Sequence, residues 1–347
     1  MALKDLSERE RRVLEAVIQT YVETAEPAGS RTLSRRCGLG VSAATIRNTM
    51  SDLEDKGYLF HPHTSAGRVP TDMAYRVYVD SLVGLPALSA AERERLLGEI
   101  AGAGSAIEAI LRRAAQSLGV LTQELGVALG PKLDQIVLER LELVRVSSDR
   151  VLVVLTLHGG ALRTLFVEAR APIADAALAE VAVVLNERLA GLRLGELRAG
   201  VQDRLRDSVP TGPGAAELLN IFVQEGEQLF DVSLAGDTDV VLGQASVLAE
   251  QPEFASGDSL RRLMQLTETR AHLADILRRR SLSPGLSITI GNEHGDPRLD
   301  QFTLVTSEYR VGRLTGVIGV IGPTRMPYDK VIAMVHHTSQ LLTELLD

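Results

Sequence analysis

The sequence has no tryptophan, one cysteine and few aromatic residues of any kind. A single thiol, Cys37, can form no internal disulfide and no multi-cysteine zinc site. Long hydrophobic runs are missing too. The longest apolar stretches, 151–157 and 181–185, are short. They have strand or buried-helix lengths, well below the about 18 residues that cross a bilayer. The N-terminus, MALKDLSERERR, is charged and has no apolar centre, so it does not read as a secretory signal. These absences predict a cytoplasmic protein with no membrane partner. There is no overall basic excess either: 37 Lys and Arg stand against 45 Asp and Glu, a net charge of −8. Taken over the whole chain, that argues against nucleic acid.

What is present is ordinary globular composition, 45% hydrophobic and 24% charged, which excludes wholesale disorder. At roughly 100–200 residues per domain, 347 residues predict two or three domains. The charge is unevenly placed. Residues 1–80 carry 11 bases and 11 acids, so the rest of the chain holds the entire −8. Within 27–76 the bases Arg31, Arg35, Arg36, Arg47, Lys56, Arg68 and Arg76 outnumber Asp52, Glu54, Asp55 and Asp72, giving +3. For DNA, a local patch matters more than the overall isoelectric point. On charge alone, a solvated helix face explains the window equally well.

The local patterns give the window a shape. Ser7 and Glu10 form a capping box. Val13, Leu14, Val17, Ile18 and Tyr21 follow at helical spacing. Pro27 and Gly29 break this helix, and Ser30 is placed to cap a second, Arg31–Cys37. Gly38 and Gly40 end it, Ser42 caps a third over Ala43–Lys56, and Gly57 ends that. Tyr58–Phe60 and Arg68–Pro70 read as two strands around a turn-rich tip, 61–67. The order helix, helix, short turn, helix, hairpin is a winged helix-turn-helix. Its third helix, if set in a major groove, presents Arg47 and Asn48, the residue types that pair bidentately with guanine and adenine. Arg68 stands where a wing tip meets phosphate or a minor groove.

Beyond 84 the pattern changes. A capping box at Ser89 and Glu92 opens one helix, and a longer one runs from about Ser105 to Leu125. Strands around 141–144, 151–157 and 162–167 make a meander. Three helices follow over 175–232, then a strand at 240–242 and one helix over Asp258–Arg280. Strands at 286–290, 302–307 and 314–321 precede a last helix opened by Pro327. The meander fits either an inserted unit or the final sheet, and spacing does not decide between them.

Two strings are more specific than a generic motif: Val41-Ser42-Ala43-Ala44-Thr45-Ile46-Arg47-Asn48 and Pro62-His63-Thr64-Ser65-Ala66-Gly67-Arg68-Val69-Pro70-Thr71. With 29–33, 75–80 and 319–326, they resemble the heat-inducible transcription repressor family, HrcA, over almost the whole chain. Thr49 stands where an acid is expected, which would alter surface charge beside the reading helix, and Ala74 where Gly is expected.

The resemblance implies a multidomain α/β (α+β) protein. Residues 1–84 are then a winged helix-turn-helix DNA-binding domain, 85–135 with 236–347 a discontinuous GAF-like α/β domain, and 136–235 an inserted α+β dimerisation domain. It implies a repressor of heat-shock chaperone operons, bound as a homodimer to an inverted-repeat operator in double-stranded DNA. Heat would release it, and the bacterial chaperonin would support its active form. The candidate DNA-contacting residues are Ser42, Ala44, Thr45, Arg47 and Asn48, with Arg31 before them and His63, Thr64, Ser65, Gly67 and Arg68 on the wing. Arg31, Arg35 and Arg36 read as general electrostatic contributors.

No cofactor, metal or enzyme is expected. His61 and His63 flank a proline with no cysteine or carboxylate cluster beside them, and His336 and His337 point to different faces of a helix. The Gly-rich run 316–322 reads as a strand and lacks a phosphate-loop lysine, and 291–296 reads as a surface loop. The rival readings are a small-molecule sensor using the GAF-like domain and, last, an enzyme with an accessory winged helix.

Overall fold

The computed structural model describes residues 6–63, 66–82, 88–101, 107–131, 136–158, 162–169, 172–208, 210, 212, 214–229, 240–280, 285–312 and 314–346. Helix α1 (Glu8–Thr24) opens on the expected box, in which the Glu10 amide donates to Ser7 Oγ at 3.4 Å and the Ser7 amide to the Glu10 carboxylate at 2.8 Å. Helix α2 (Ser30–Arg36) begins one residue earlier than expected. Gly29 occupies the extended cap position and Ser30 is already helical, so its hydroxyl is one residue too late to receive the first amides. Helix α3 (Ala43–Asp55) is capped by Ser42, whose Oγ accepts from the Thr45 amide at 3.1 Å. Strands β1 (Leu59–Phe60) and β2 (Val69–Pro70) pair antiparallel, and Thr71 caps α4 (Asp72–Ser81).

These elements form the head of the molecule around one stripe. Val13, Leu14, Val17 and Ile18 of α1, Leu33 of α2, and Ile46, Met50 and Leu53 of α3 are all buried. Burying such a side chain contributes about 1.5–3 kcal/mol, and a cap about 1 kcal/mol. The stripe therefore decides the fold of the head, and the caps set where its helices start.

Helix α5 (Ala90–Ala101) is followed by α6 (Ile107–Thr122). The helical spacing that carried this helix on to Leu125 is misleading. Gln123 takes a left-handed φ of 62°, the helix ends, and Leu125–Leu129 is a strand, β3. The remaining elements are β4 (Leu138–Arg145), β5 (Arg150–Leu157), β6 (Leu162–Glu168), α7 (Asp175–Leu189), α8 (Leu194–Leu205), α9 (Ala215–Leu229) and β7 (Val240–Leu242). After them come α10 (Ser246–Ala249), α11 (Gly257–Glu268), α12 (Arg270–Arg280), β8 (Leu286–Ile290), β9 (Phe302–Val311), β10 (Leu314–Pro323) and α13 (Tyr328–Leu346). The single helix expected over 258–280 is thus two, broken at Thr269, where the backbone leaves helical angles.

The chain forms two compact units. One takes in residues 1–129, 240–309 and 317–342 and contains the head and a five-stranded sheet of order β7-β3-β10-β9-β8. Leu125, Val127 and Leu129 of β3 and Phe302 and Leu304 of β9 meet Phe254, Leu263, Leu266, Leu273 and Leu277 in one core. On its other face, Ser307 of β9 accepts a hydrogen bond from Ser339 of α13 at 2.9 Å. The close approach of α6 to β3 requires Gly126, since a Cβ there would lie 1.8 Å from the Ala115 carbonyl.

The second unit takes in residues 130–239, 310–316 and 343–347. Its sheet is the meander β4-β5-β6, separate from the five-stranded one. Leu141, Val151, Val153, Leu155 and Val167 share a core with Val181, Leu185, Leu197 and Phe222 of α7–α9. Asn186 fixes α7 to β4 by donating to the Leu141 carbonyl at 2.7 Å and accepting from its amide at 2.8 Å. Among the described residues no helix is long and apolar enough to cross a membrane.

Glu124, just before β3, is 2% exposed and lies where Gly322 leaves room for its carboxylate. Burial pushes its carboxyl well above the usual range. An acid raised on folding binds its proton more tightly in the folded state. Its stabilising share is then complete below the unfolded value and falls as pH rises through the folded one. Glu124→Gln is expected to raise the melting temperature at pH 7, by roughly 2–4 °C per kcal/mol relieved, and to flatten its pH dependence above about 4.5. Calorimetry across pH 5–8 measures both.

Candidate nucleic-acid interface

The period of α3 divides its surface. Ile46, Thr49, Met50 and Leu53 are buried, while Ala44, Arg47, Asn48 and Ser51 are exposed. Thr49 therefore alters no surface charge; its hydroxyl donates to the Thr45 carbonyl at 3.1 Å. Ser42 is exposed and Thr45 half-buried at the N-terminus of the helix, with their hydroxyls 3.0 Å apart.

The wing is anchored from two sides. The Arg68 backbone exchanges amide and carbonyl bonds with Ala28, both 2.9 Å. Gly67 is what permits this crossing, because a Cβ at 67 would sit 2.4 Å from the Pro27 carbonyl. The Arg68 side chain, expected to reach phosphate or groove, ion-pairs with Glu54 of α3 at 2.6 Å, and Glu54 also holds His61. Glu54 is thus a wing anchor that the sequence reading counted only as a charge. Nothing in local spacing marks it, since its partners lie across the Gly57 turn and the wing. His63 is exposed, and its carbonyl accepts from the Ala66 amide at 2.9 Å. Thr64 and Ser65 lie outside the described residues.

Between α3 and the wing lies a cleft of about 490 Å³. Arg31, Ala44, Arg47, Asn48, Gly67 and Arg68 line it, joined by Gly29, which the sequence reading did not select. Ser42, Thr45 and His63 are not among its lining residues.

Pairing decides which charges are available. Arg36 pairs with Glu23 at 3.1 Å, Lys56 with Glu10 at 2.7 Å, Arg68 with Glu54, and Arg76 with Glu293. Hydrogen bonds from Lys56 and from the Ser7 amide hold the Glu10 carboxyl down at about 2, so that pair stays charged near neutrality. Surface pairs of this kind contribute about 0–1 kcal/mol of stability, and here their main effect is neutralisation. Among the described residues Arg31, Arg35 and Arg47 have no carboxylate partner, and Arg31 and Arg47 both line the cleft.

Residues 108–332 match the family described as HrcA protein C terminal domain. The heat-inducible transcription repressor HrcA of Geobacter sulfurreducens is 38% identical over 348 residues, covering 99% of each chain. That of Chlorobium phaeovibrioides is 37% identical, over 100% of this chain and 99% of its own. The chain belongs to the HrcA family. Its HrcA relatives are named as transcription repressors, not as enzymes. A crystal structure of a hypothetical protein, 22% identical, superposes with a TM-score of 0.76 over 99% of both chains and so shares the fold.

In this HrcA chain, Gly67→Ala is expected to displace the base of the wing and lower stability by about 1–3 kcal/mol. Urea denaturation of the full chain should show a lower midpoint at unchanged slope.

Proposed function

We propose that the chain represses heat-shock chaperone operons by binding an inverted-repeat operator as a homodimer. The observation that carries this reading is the exposed row Ala44, Arg47 and Asn48 beside Arg31, which has no carboxylate partner among the described residues, in the cleft next to the wing. Arg47 and Asn48 contact base edges, Ser42 and Thr45 meet phosphate at the helix N-terminus, and His63, Thr64, Ser65, Gly67 and Arg68 follow the backbone or the minor groove. Arg68 first fixes the wing through Glu54, so its part in binding is partly mechanical. An inverted repeat requires a two-fold protein, and two weak heads on one dimer gain affinity through effective concentration. In this reading the unit built on the five-stranded sheet is GAF-like and the meander unit dimerises. Heat releases the repressor, and the chaperonin restores its active form. These last roles follow the family resemblance, and the protein works in the cytoplasm.

Arg47→Ala is expected to weaken operator binding by about 1–3 kcal/mol and to relax selectivity at one base pair per half-site. Footprinting on chaperone promoters, followed by titration of the protected duplex and a scrambled one at fixed salt, tests this. Equal affinity of the unmodified chain for both duplexes would sink the reading.

A further inference from the structure

The head is mounted on the five-stranded sheet through contacts far from the recognition cleft. Asp72 and Arg76 lie one turn apart on one face of α4. Asp72 accepts from both the backbone amide and the side-chain amide of Asn292, each at 3.0 Å. The carboxylate is seated tightly against that turn. Gly291 there has φ +50°, and a Cβ on it would lie 2.2 Å from Asp72 Oδ2. Arg76 forks onto Glu293, with Nε donating to Oε1 at 2.7 Å and Nη2 to Oε2 at 2.5 Å, and Nη2 also donates to the Ile288 carbonyl at 2.9 Å. Between these two polar contacts the Tyr75 ring meets that of Tyr328, centroids 5.6 Å apart. A further contact comes from another helix of the head. Arg325, held by Glu253, donates from Nη1 to the Val22 carbonyl of α1 at 2.7 Å.

A head held at one point swivels. One held through both α1 and α4 by a bidentate fork, a carboxylate and a guanidinium does not. Neither Asp72 nor Arg76 lines the recognition cleft, so these contacts set direction and leave the DNA surface open. We propose that Asp72 and Arg76 are positioning residues, which fix the reading head at one angle on the sheet and thereby select the half-site spacing the repressor accepts. This rests on the dimeric DNA-binding reading above. In a symmetric dimer the separation of two reading helices is defined only if each head is rigid on its support. A swivelling head accepts many spacings, each at lower effective concentration.

The test uses the full chain and labelled duplexes carrying the footprinted half-site, either alone or as inverted repeats whose spacer is stepped through about one helical turn, 10 base pairs. For the unmodified chain the affinity is expected to peak at one spacer and fall about tenfold or more away from it. In Arg76→Glu, which sets two carboxylates against each other, the peak should flatten to within about threefold while single half-site affinity is unchanged. Arg76→Glu combined with Glu293→Arg should restore the peak. Asp72→Ala, which introduces no repulsion, should flatten it too and reads the joint even where the charge reversal does not fold. A sharp peak surviving in both single variants overturns the proposal while leaving the DNA-binding reading intact, and so does half-site affinity falling in parallel with the repeats. Absence of duplex binding by the unmodified chain overturns both.

Discussion

Everything in the head depends on α3 keeping one side in the core and the other in water. Ile46, Met50 and Leu53 follow one another at i, i+4 and i+7 and bury against the α1 stripe. The same period leaves Ala44, Arg47, Asn48 and Ser51 on the opposite side. The wing hangs from this helix through Glu54 and is closed by the Ala28–Arg68 backbone pair. A fully buried side chain such as Ile46 or Leu53 contributes about 1.5–3 kcal/mol, against about 0–1 kcal/mol for a surface ion pair. The apolar stripe thus supplies the stability, and the polar contacts place what it carries.

Local determinants were legible in the sequence. The boxes at Ser7 and Ser89 and the Ser42 cap all stand where the spacing put them, because each is settled within four residues. The reading failed where a distant partner decides. The helix read from spacing ran on to Leu125, and strand β3, which begins there, was missed; its place between β7 and β10 is what makes it extended. Ser30 failed as a cap by a single residue, a difference that spacing does not encode. The run 291–296 looked like a free surface loop, yet its partners Asp72 and Arg76 stand 217–220 residues away in sequence. Likewise, Arg47 and Asn48 were found from residue type and helix face, but the place of Gly29 in the cleft and the pairing of Arg68 with Glu54 were not.

The sparse charge of the head has a consequence for selectivity. Of the seven bases in the +3 window counted from the sequence, Arg36, Lys56, Arg68 and Arg76 are paired, which leaves Arg31, Arg35 and Arg47 without a carboxylate partner among the described residues. Phosphate contacts supply affinity without sequence information, and each one neutralised steepens the salt dependence. A head with few free cations on a chain of charge −8 gains little from arbitrary duplex. In the reading proposed above, more of its binding energy then comes from base edges and from the geometry of two heads acting together. Low basicity, which first argued against nucleic acid, is compatible with a selective reader and incompatible with a general DNA coat.

Release by heat, as proposed above, needs a margin that closes with temperature, and ion pairs are poor material for that. The desolvation penalty of charged groups falls on heating, so the Arg76–Glu293 fork and its neighbours hold at least as well when warm. The weak link is better sought in the cooperative stability of the unit that carries the joint. Two features lower it without touching the recognition cleft. The Glu124 carboxyl is buried, with Arg325 and Gln251 only partly offsetting its desolvation. The Tyr75 hydroxyl is buried with no hydrogen-bond partner among the described residues. A buried polar group left unsatisfied costs about 1–3 kcal/mol, a sizeable part of a domain stability of about 5–15 kcal/mol. In the reading proposed above, the margin that closes on heating draws on these buried groups, while base recognition draws on the exposed residues of the cleft, two different sets within one unit.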